Sequence, residues 1–145
     1  MPSYSEQVRP IAASEIPLLK QFLYAAIFIP PGVEPPAFSV VDLPELKAYI
    51  TDFGSCRGDF AFVAEKSGKL IGAAWCRLLP EYDWLGPDIP VLALAVLPPY
   101  RGQGIGTALL CALLNQLQQK GYHGLALSVQ RRNPAVRLYR KMKFE

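Results

Sequence analysis

Between positions 98 and 107 the chain reads Pro-Pro-Tyr-Arg-Gly-Gln-Gly-Ile-Gly-Thr, with glycines alternating at Gly102, Gly104 and Gly106. Glycine tolerates positive φ and lets the main chain come close to a ligand. Ahead of this loop, Val91 to Leu97 is apolar at all seven positions, the pattern of a strand buried on both faces. Behind it, Gly106, Leu109, Leu110, Leu113, Leu114 and Leu117 recur at the three-four spacing of a helix that buries one stripe. A strand, a glycine loop and a helix start leave unpaired N–H groups at the positive end of the helix dipole, a site for phosphate. Arg101 adds a fixed charge beside it. The same glycines would also serve a tight strand-to-helix turn with no ligand, so the loop alone says only that an anion fits there.

Two phosphate-binding motifs are excluded. A Walker loop ends in Gly-Lys-Ser/Thr, and here Gly106 directly precedes Thr107. A dinucleotide fingerprint needs an acid about twenty residues on, at a strand end; the following strand, Gly124 to Val129, has none. Other catalytic groups are sparse. The one histidine, His123, sits in a Gly-Tyr-His-Gly turn and reads as a turn residue. Cys56, Cys76 and Cys111 are odd in number and far from metal-ligand spacing, which points to free thiols in a reducing cytoplasm and no metal.

The elements that must position the loop follow from patterning. Gln7 to Ala12 reads as a short strand. Ser14 can cap a helix from about Glu15 to Ile27, with Pro17 in its first turn. A stiff proline-rich loop follows. Asp42 and Glu45 suggest a capping box for a second helix, Pro44 to Phe53. Residues Phe60 to Glu65 and Lys69 to Leu78 read as a hairpin turned at Ser67-Gly68. The long helix stops at Lys120-Gly121, and Pro134 to about Met142 forms a last short helix. The order is β-α-α-β-β-β-α-β-α, expected as one domain over residues 1–145. A net charge of +3 is far short of the basic stripe of a nucleic-acid binder. Residues Ile16 to Ile29 are apolar but interrupted by Pro17, Lys20 and Gln21, so they read as a buried helix and not a membrane span. Neither nucleic acid nor membrane is expected as a partner.

The loop resembles motif A of the GNAT superfamily of acetyltransferases, Arg/Gln-x-x-Gly-x-Gly/Ala after a strand ending in Val-x-Pro. The matching residues run Val96-Leu97-Pro98-Pro99-Tyr100-Arg101-Gly102-Gln103-Gly104-Ile105-Gly106. A second block, Asn133-Pro134-Ala135-Val136-Arg137-Leu138-Tyr139-Arg140-Lys141-Met142-Lys143-Phe144, is similar to the family's Asn-Pro-Ala-x-x-Leu-Tyr-x-x-x-Gly-Phe ending. The resemblance implies a mixed α/β (α+β) domain, its mostly antiparallel central sheet flanked by helices. It also implies transfer of an acetyl group from acetyl-CoA to an amine, with acetyl-CoA (CoA) as co-substrate.

Such a transfer needs a neutral amine, whose ordinary pKa is near ~10.4, hence a base. The tetrahedral oxyanion needs a fixed donor, and the leaving thiolate a proton. The resemblance gives the main chain of Leu94, Ala95 and Val96 to the pantetheine arm and thioester carbonyl. It gives Arg101, Gly102, Gln103, Gly104, Ile105, Gly106 and Thr107 to the pyrophosphate, and makes Tyr139 the proton donor. From its helix alone Tyr139 is equally a core aromatic beside Leu138 and Met142. Asn133 is either a cofactor contact or the N-cap before Pro134, because it stands six residues before the tyrosine where many relatives have seven. No acid lies on the strand Val91 to Leu97, so the base is sought in the preceding loop: Glu81 first, then Asp83 and Asp88. The loop from Phe28 to Phe38, with Tyr82 and Trp84, is the expected substrate wall for an acceptor with an apolar part, a small molecule or a peptide; a packing lid is the other reading.

The pattern departs from the family in two places. Lys143 stands where a glycine is usual, and the chain stops at Glu145 before the family's final strands. The strand Gly124 to Val129 would then keep an open edge. The expectation is a homodimer covering that edge, or a form without its natural C-terminus. The competing readings are a non-catalytic acetyl-CoA-binding module or assembly subunit, and a nucleotide-binding domain using the same loop.

Overall fold

The computed structural model describes residues 7–27, 29, 31–80, 88–122 and 124–126. Its frame is a four-stranded antiparallel sheet in the order β1-β2-β3-β4: β1 (Val8–Pro10), β2 (Phe60–Lys66), β3 (Lys69–Arg77) and β4 (Val91–Val96). The hairpin turn lies where the sequence puts it. Ser67 and Gly68 both take positive φ, 53° and 79°, as a type I′ connection requires. A parallel bridge joins Val91 to Ala126 on the far side of β4, with Leu92 N–H donating to Ala126 O and Ala126 N–H to Pro90 O, both at 2.8 Å. The expected last strand therefore begins beside β4; its residues from 127 onward, and the expected final helix, lie outside the described residues.

Both faces of the sheet are covered, and the apolar run of β4 is divided between them. Ala93 and Ala95 join Val63, Ala73 and Trp75 under α1 (Leu19–Ala25). Leu92, with Ile71, Ala74 and Cys76, packs under α3 (Ile105–Gln119), which buries Ile105, Leu109, Leu110, Leu113 and Leu117. Gly72 sets how closely α3 approaches. A Cβ there would stand 3.0 Å from Leu109 Cδ1 and 3.2 Å from Ala95 O, so the bare strand backbone lets the helix lie against it.

The N-terminal helices differ from their expected form. Ala13–Leu18 is 3-10, and the α-helical part is Leu19–Ala25 only. The N-cap of the 3-10 segment is Ala12, not Ser14: the Glu15 carboxylate accepts the Ala12 N–H at 2.9 Å while also pairing with Arg9 at 2.7 Å. The second helix, α2, spans Pro44–Lys47, not Pro44 to Phe53, and its N-cap is Leu43, not Asp42. Residues beyond it are drawn into β3. Trp75 Nε1 donates to Tyr49 O, and Arg77 Nη1 to Ala48 O and Thr51 O, at 3.1, 3.1 and 2.6 Å. Arg77 also makes a two-pronged pair with Asp59 at 2.9 and 3.1 Å, the side chains 7% and 1% exposed. Asp59 in turn accepts the Gly54 and Cys56 N–H groups. This buried ion pair thus closes a polar network that fixes residues 48–59.

Candidate active site

The site is built at the end of β4 where the chain turns into α3. Pro98–Tyr100 form a 3-10 turn, and the chain then passes through Gly102 at φ 77° and Gly104 at φ 84°. A Cβ at either glycine would meet nothing within 4 Å, so the requirement is conformational and not steric. Gly104 is the N-cap of α3, and no side chain caps that end. The first bond of the helix is Ala108 N–H to Gly104 O at 3.1 Å. The amides of Ile105, Gly106 and Thr107 therefore make no bond within the helix and face the positive end of its dipole. Ile105 is buried and pins the first turn to the sheet, while 101–104 are exposed. An uncapped turn of this shape fits a diphosphate.

Arg101, expected as a fixed charge beside the loop, is held there by main-chain carbonyls. Its Nε donates to Val96 O at 2.8 Å and its Nη2 to Ala25 O at 3.4 Å. It ties the end of β4 to the end of α1, and its positive charge stays beside the loop.

The main-chain direction of β4 separates the three residues expected to hold the pantetheine arm. Leu92 N–H points away from β3, to Ala126, whereas Leu97 N–H bonds Ile71 O in line with β3. By the alternation of an antiparallel ladder, Leu94 and Val96 present their main-chain groups to the outer edge, and Ala95 presents its own to β3. Leu94, and Val96 through its N–H, can pair with an extended ligand arm, the Val96 carbonyl being taken by Arg101. Ala95 is directed at Ala73 and contributes packing.

Of the expected substrate wall, Phe38 is described: it is 47% exposed, its ring 5.3 Å from that of Tyr24, with Lys20 Nζ 5.8 Å from its centroid. The Tyr24 hydroxyl donates to Pro36 O and holds the loop against α1. Phe28, Glu81, Tyr82, Trp84, Asn133 and Tyr139, with the further acid Asp83, lie outside the described residues. Asp88, the other acid considered as base, pairs with Arg57 at 2.8 Å near the start of β4, at the end opposite the glycine loop. Gly72, which seats α3 and so aims its first turn, was not singled out from the sequence; a glycine inside an otherwise apolar strand was the available signal. No group of metal-ligating side chains occurs among the described residues.

The family model described as "Acetyltransferase (GNAT) family" matches residues 31–144. This chain belongs to that family. It is similar to a mycothiol acetyltransferase of Arthrobacter sp., 34% identical over 86 residues, 59% of this chain and 27% of that protein. It is also similar to the [ribosomal protein bS18]-alanine N-acetyltransferase of Haemophilus influenzae, 34% identical over 79 residues, 54% of this chain and 50% of that protein. The chain thus spans about a quarter to a half of the length of these curated relatives. Among solved structures, a predicted acetyltransferase from Clostridium acetobutylicum with acetyl-CoA superposes at TM-score 0.67 and 21% identity, covering 95% of this chain and 88% of the other. The aminoglycoside N-acetyltransferase AAC(6')-Iy in complex with CoA does so at TM-score 0.62 and 18% identity, covering 95% and 86%. These likenesses show the shared fold. The chain carries a GNAT-family domain, on a fold shared with proteins solved with acetyl-CoA and with CoA.

Proposed function

We propose that this GNAT domain, over residues 1–145, transfers acetyl from acetyl-CoA to a primary amine of a small molecule or peptide by direct attack in a ternary complex. One observation carries the reading: the uncapped start of α3, entered through left-handed Gly102 and Gly104, adjoins the outward edge of Leu94 and Val96. The amides of residues 102–107 take the pyrophosphate, and Leu94 pairs with the pantetheine arm. The Leu94 N–H then stands where a thioester carbonyl can accept it, and it stabilises the oxyanion as the amine attacks. The N–C bond forms and the C–S bond breaks. The amine proton passes to Glu81, and the thiolate takes a proton from Tyr139. Asn133 caps the last helix or touches the cofactor.

The relatives' names mention mycothiol, aminoglycosides and an alanine of a ribosomal protein, which spans small and peptide acceptors. Phe38, exposed beside Tyr24, supports an acceptor with an apolar part, with Phe28, Tyr82 and Trp84 completing that wall. The same reading places the protein in the cytoplasm. It also includes a homodimer, which light scattering tests. The decisive experiment for function is thiol release from acetyl-CoA against a panel of amino sugars, amino-terminal peptides and simple amines. Turnover with at least one amine is expected, falling about 10²-fold in Tyr139→Phe. Tight acetyl-CoA binding with no turnover on any amine would sink the enzyme reading.

A further inference from the structure

The tip of the β2–β3 hairpin carries a feature that the fold does not require. Lys66 and Lys69 flank the Ser67-Gly68 turn and are direct cross-strand partners. Like charges placed opposite each other on a ladder cost stability. Both side chains are exposed, and among the described residues neither forms an ion pair. The nearest carboxylate in sequence, Glu65, is held at 2.9 Å by Arg9, which also binds Glu15. Among the described residues, then, no carboxylate offsets the pair.

The hairpin tip lies at the same end of the sheet as the glycine loop. Gly72 pairs with Val96, and the Lys66 ammonium sits 5.8 Å from the ring centroid of Tyr100. Gly102 lies two positions after Tyr100, a span of at most about 7 Å. CoA carries two anionic groups one ribose apart, the diphosphate and the 3′-phosphate. The α3 amides serve the first.

We propose that Lys66 and Lys69 form a second anion-recognition point, which takes the ribose 3′-phosphate and makes the site select CoA over 3′-dephospho-CoA. This rests on the acetyl-CoA reading above. A dianion at the tip removes the lysine repulsion at the moment of binding, so the cost carried by the free protein becomes affinity for the phosphorylated ligand. Charges this exposed are screened by salt.

Calorimetry on the full chain tests it, with acetyl-CoA and acetyl-3′-dephospho-CoA as the two probes. At low salt the wild type is expected to bind acetyl-CoA roughly three- to tenfold more tightly than the dephospho form. In Lys66→Gln/Lys69→Gln that preference should fall toward one, chiefly by weaker acetyl-CoA binding, with the dephospho affinity little changed. A control double variant, Lys47→Gln/Lys120→Gln, makes the same change in net charge and should keep the wild-type preference. An equal affinity of the wild type for both ligands overturns the proposal. So does a preference that survives loss of both lysines, or one lost equally in the control. Failure to bind either ligand would instead overturn the acetyl-CoA reading, so the two failures are distinguishable.

Discussion

Gly104 holds φ at 84° with open space where a Cβ would stand, so the effect of a substitution there isolates backbone strain from crowding. Gly104→Ala should cost about 1–2 kcal/mol of stability for the left-handed residue. It should weaken acetyl-CoA binding more than Gly102→Ala, because Gly104 is the N-cap that directs the α3 amides. Urea unfolding and calorimetry on both variants check this, and an acetyl-CoA affinity unchanged in Gly104→Ala would mean that the amides are not the anchor. Glu15 makes a second residue-scale prediction. The Arg9 guanidinium, with the Ala12 N–H, holds its carboxyl at about 2, below the ordinary 4.5. A depressed carboxylate stabilises the fold above its unfolded pKa, and that contribution is lost as pH falls from 4.5 through about 2. Urea unfolding should therefore show wild type and Glu15→Gln differing at neutral pH and converging by about pH 2. A gap that persists there would contradict the pairing. The glycine loop was legible because its requirement is local, a matter of φ and helix ends. The use of Arg101 was not, since its partners Val96 O and Ala25 O are main-chain carbonyls, one of them 76 positions away.

Elements became legible or not according to whether their determinants lie inside them. Helix α3 carries its own stripe, and the hairpin carries its own turn pair, so both fall where periodicity puts them. The second helix does not: its expected length of Pro44 to Phe53 is cut to Pro44–Lys47. Trp75 and Arg77 reach across from β3 for the carbonyls of Ala48, Tyr49 and Thr51, and the chain turns through left-handed Asp52, Gly54 and Gly58. A long-range competitor for main-chain carbonyls has no local sequence signature. The strength of that competition can be measured. Arg77→Ala leaves Asp59 buried and unpaired and strips two carbonyls of their donor, which should cost about 3–5 kcal/mol. Urea unfolding of Arg77→Ala and of the charge-keeping Arg77→Lys gives the value. A loss below about 1 kcal/mol in Arg77→Ala would show that segment 48–59 holds its shape without the pair.

At the scale of the whole molecule, the sheet treats the two ends of β4 unequally. One side of the strand pairs with β3 from Val91 to Val96. On the other side, Pro90 and Leu92 bond to Ala126, while Val96 O is taken by the Arg101 side chain that clasps α1. Between these two fixed points lies Leu94, its main-chain groups outward and its side chain partly buried against the core under α3. The layers on the two faces hold this stretch rigid: α1 packs against Ala93 and Ala95, and α3 against Leu92 and Leu94. A ligand arm laid along the outer edge would therefore meet a preorganised strand and add a ladder bond without moving the core. Hydrogen exchange resolves the consequence residue by residue. The Ala93 and Ala95 amides, turned to β3, should exchange slowly with or without acetyl-CoA. The Leu94 amide should exchange faster in the free protein and slow down on binding, by an amount that tracks cofactor saturation. Protection that rises equally at Ala95 and Leu94 would indicate general tightening of the fold, and no change at Leu94 would remove its N–H from the oxyanion role.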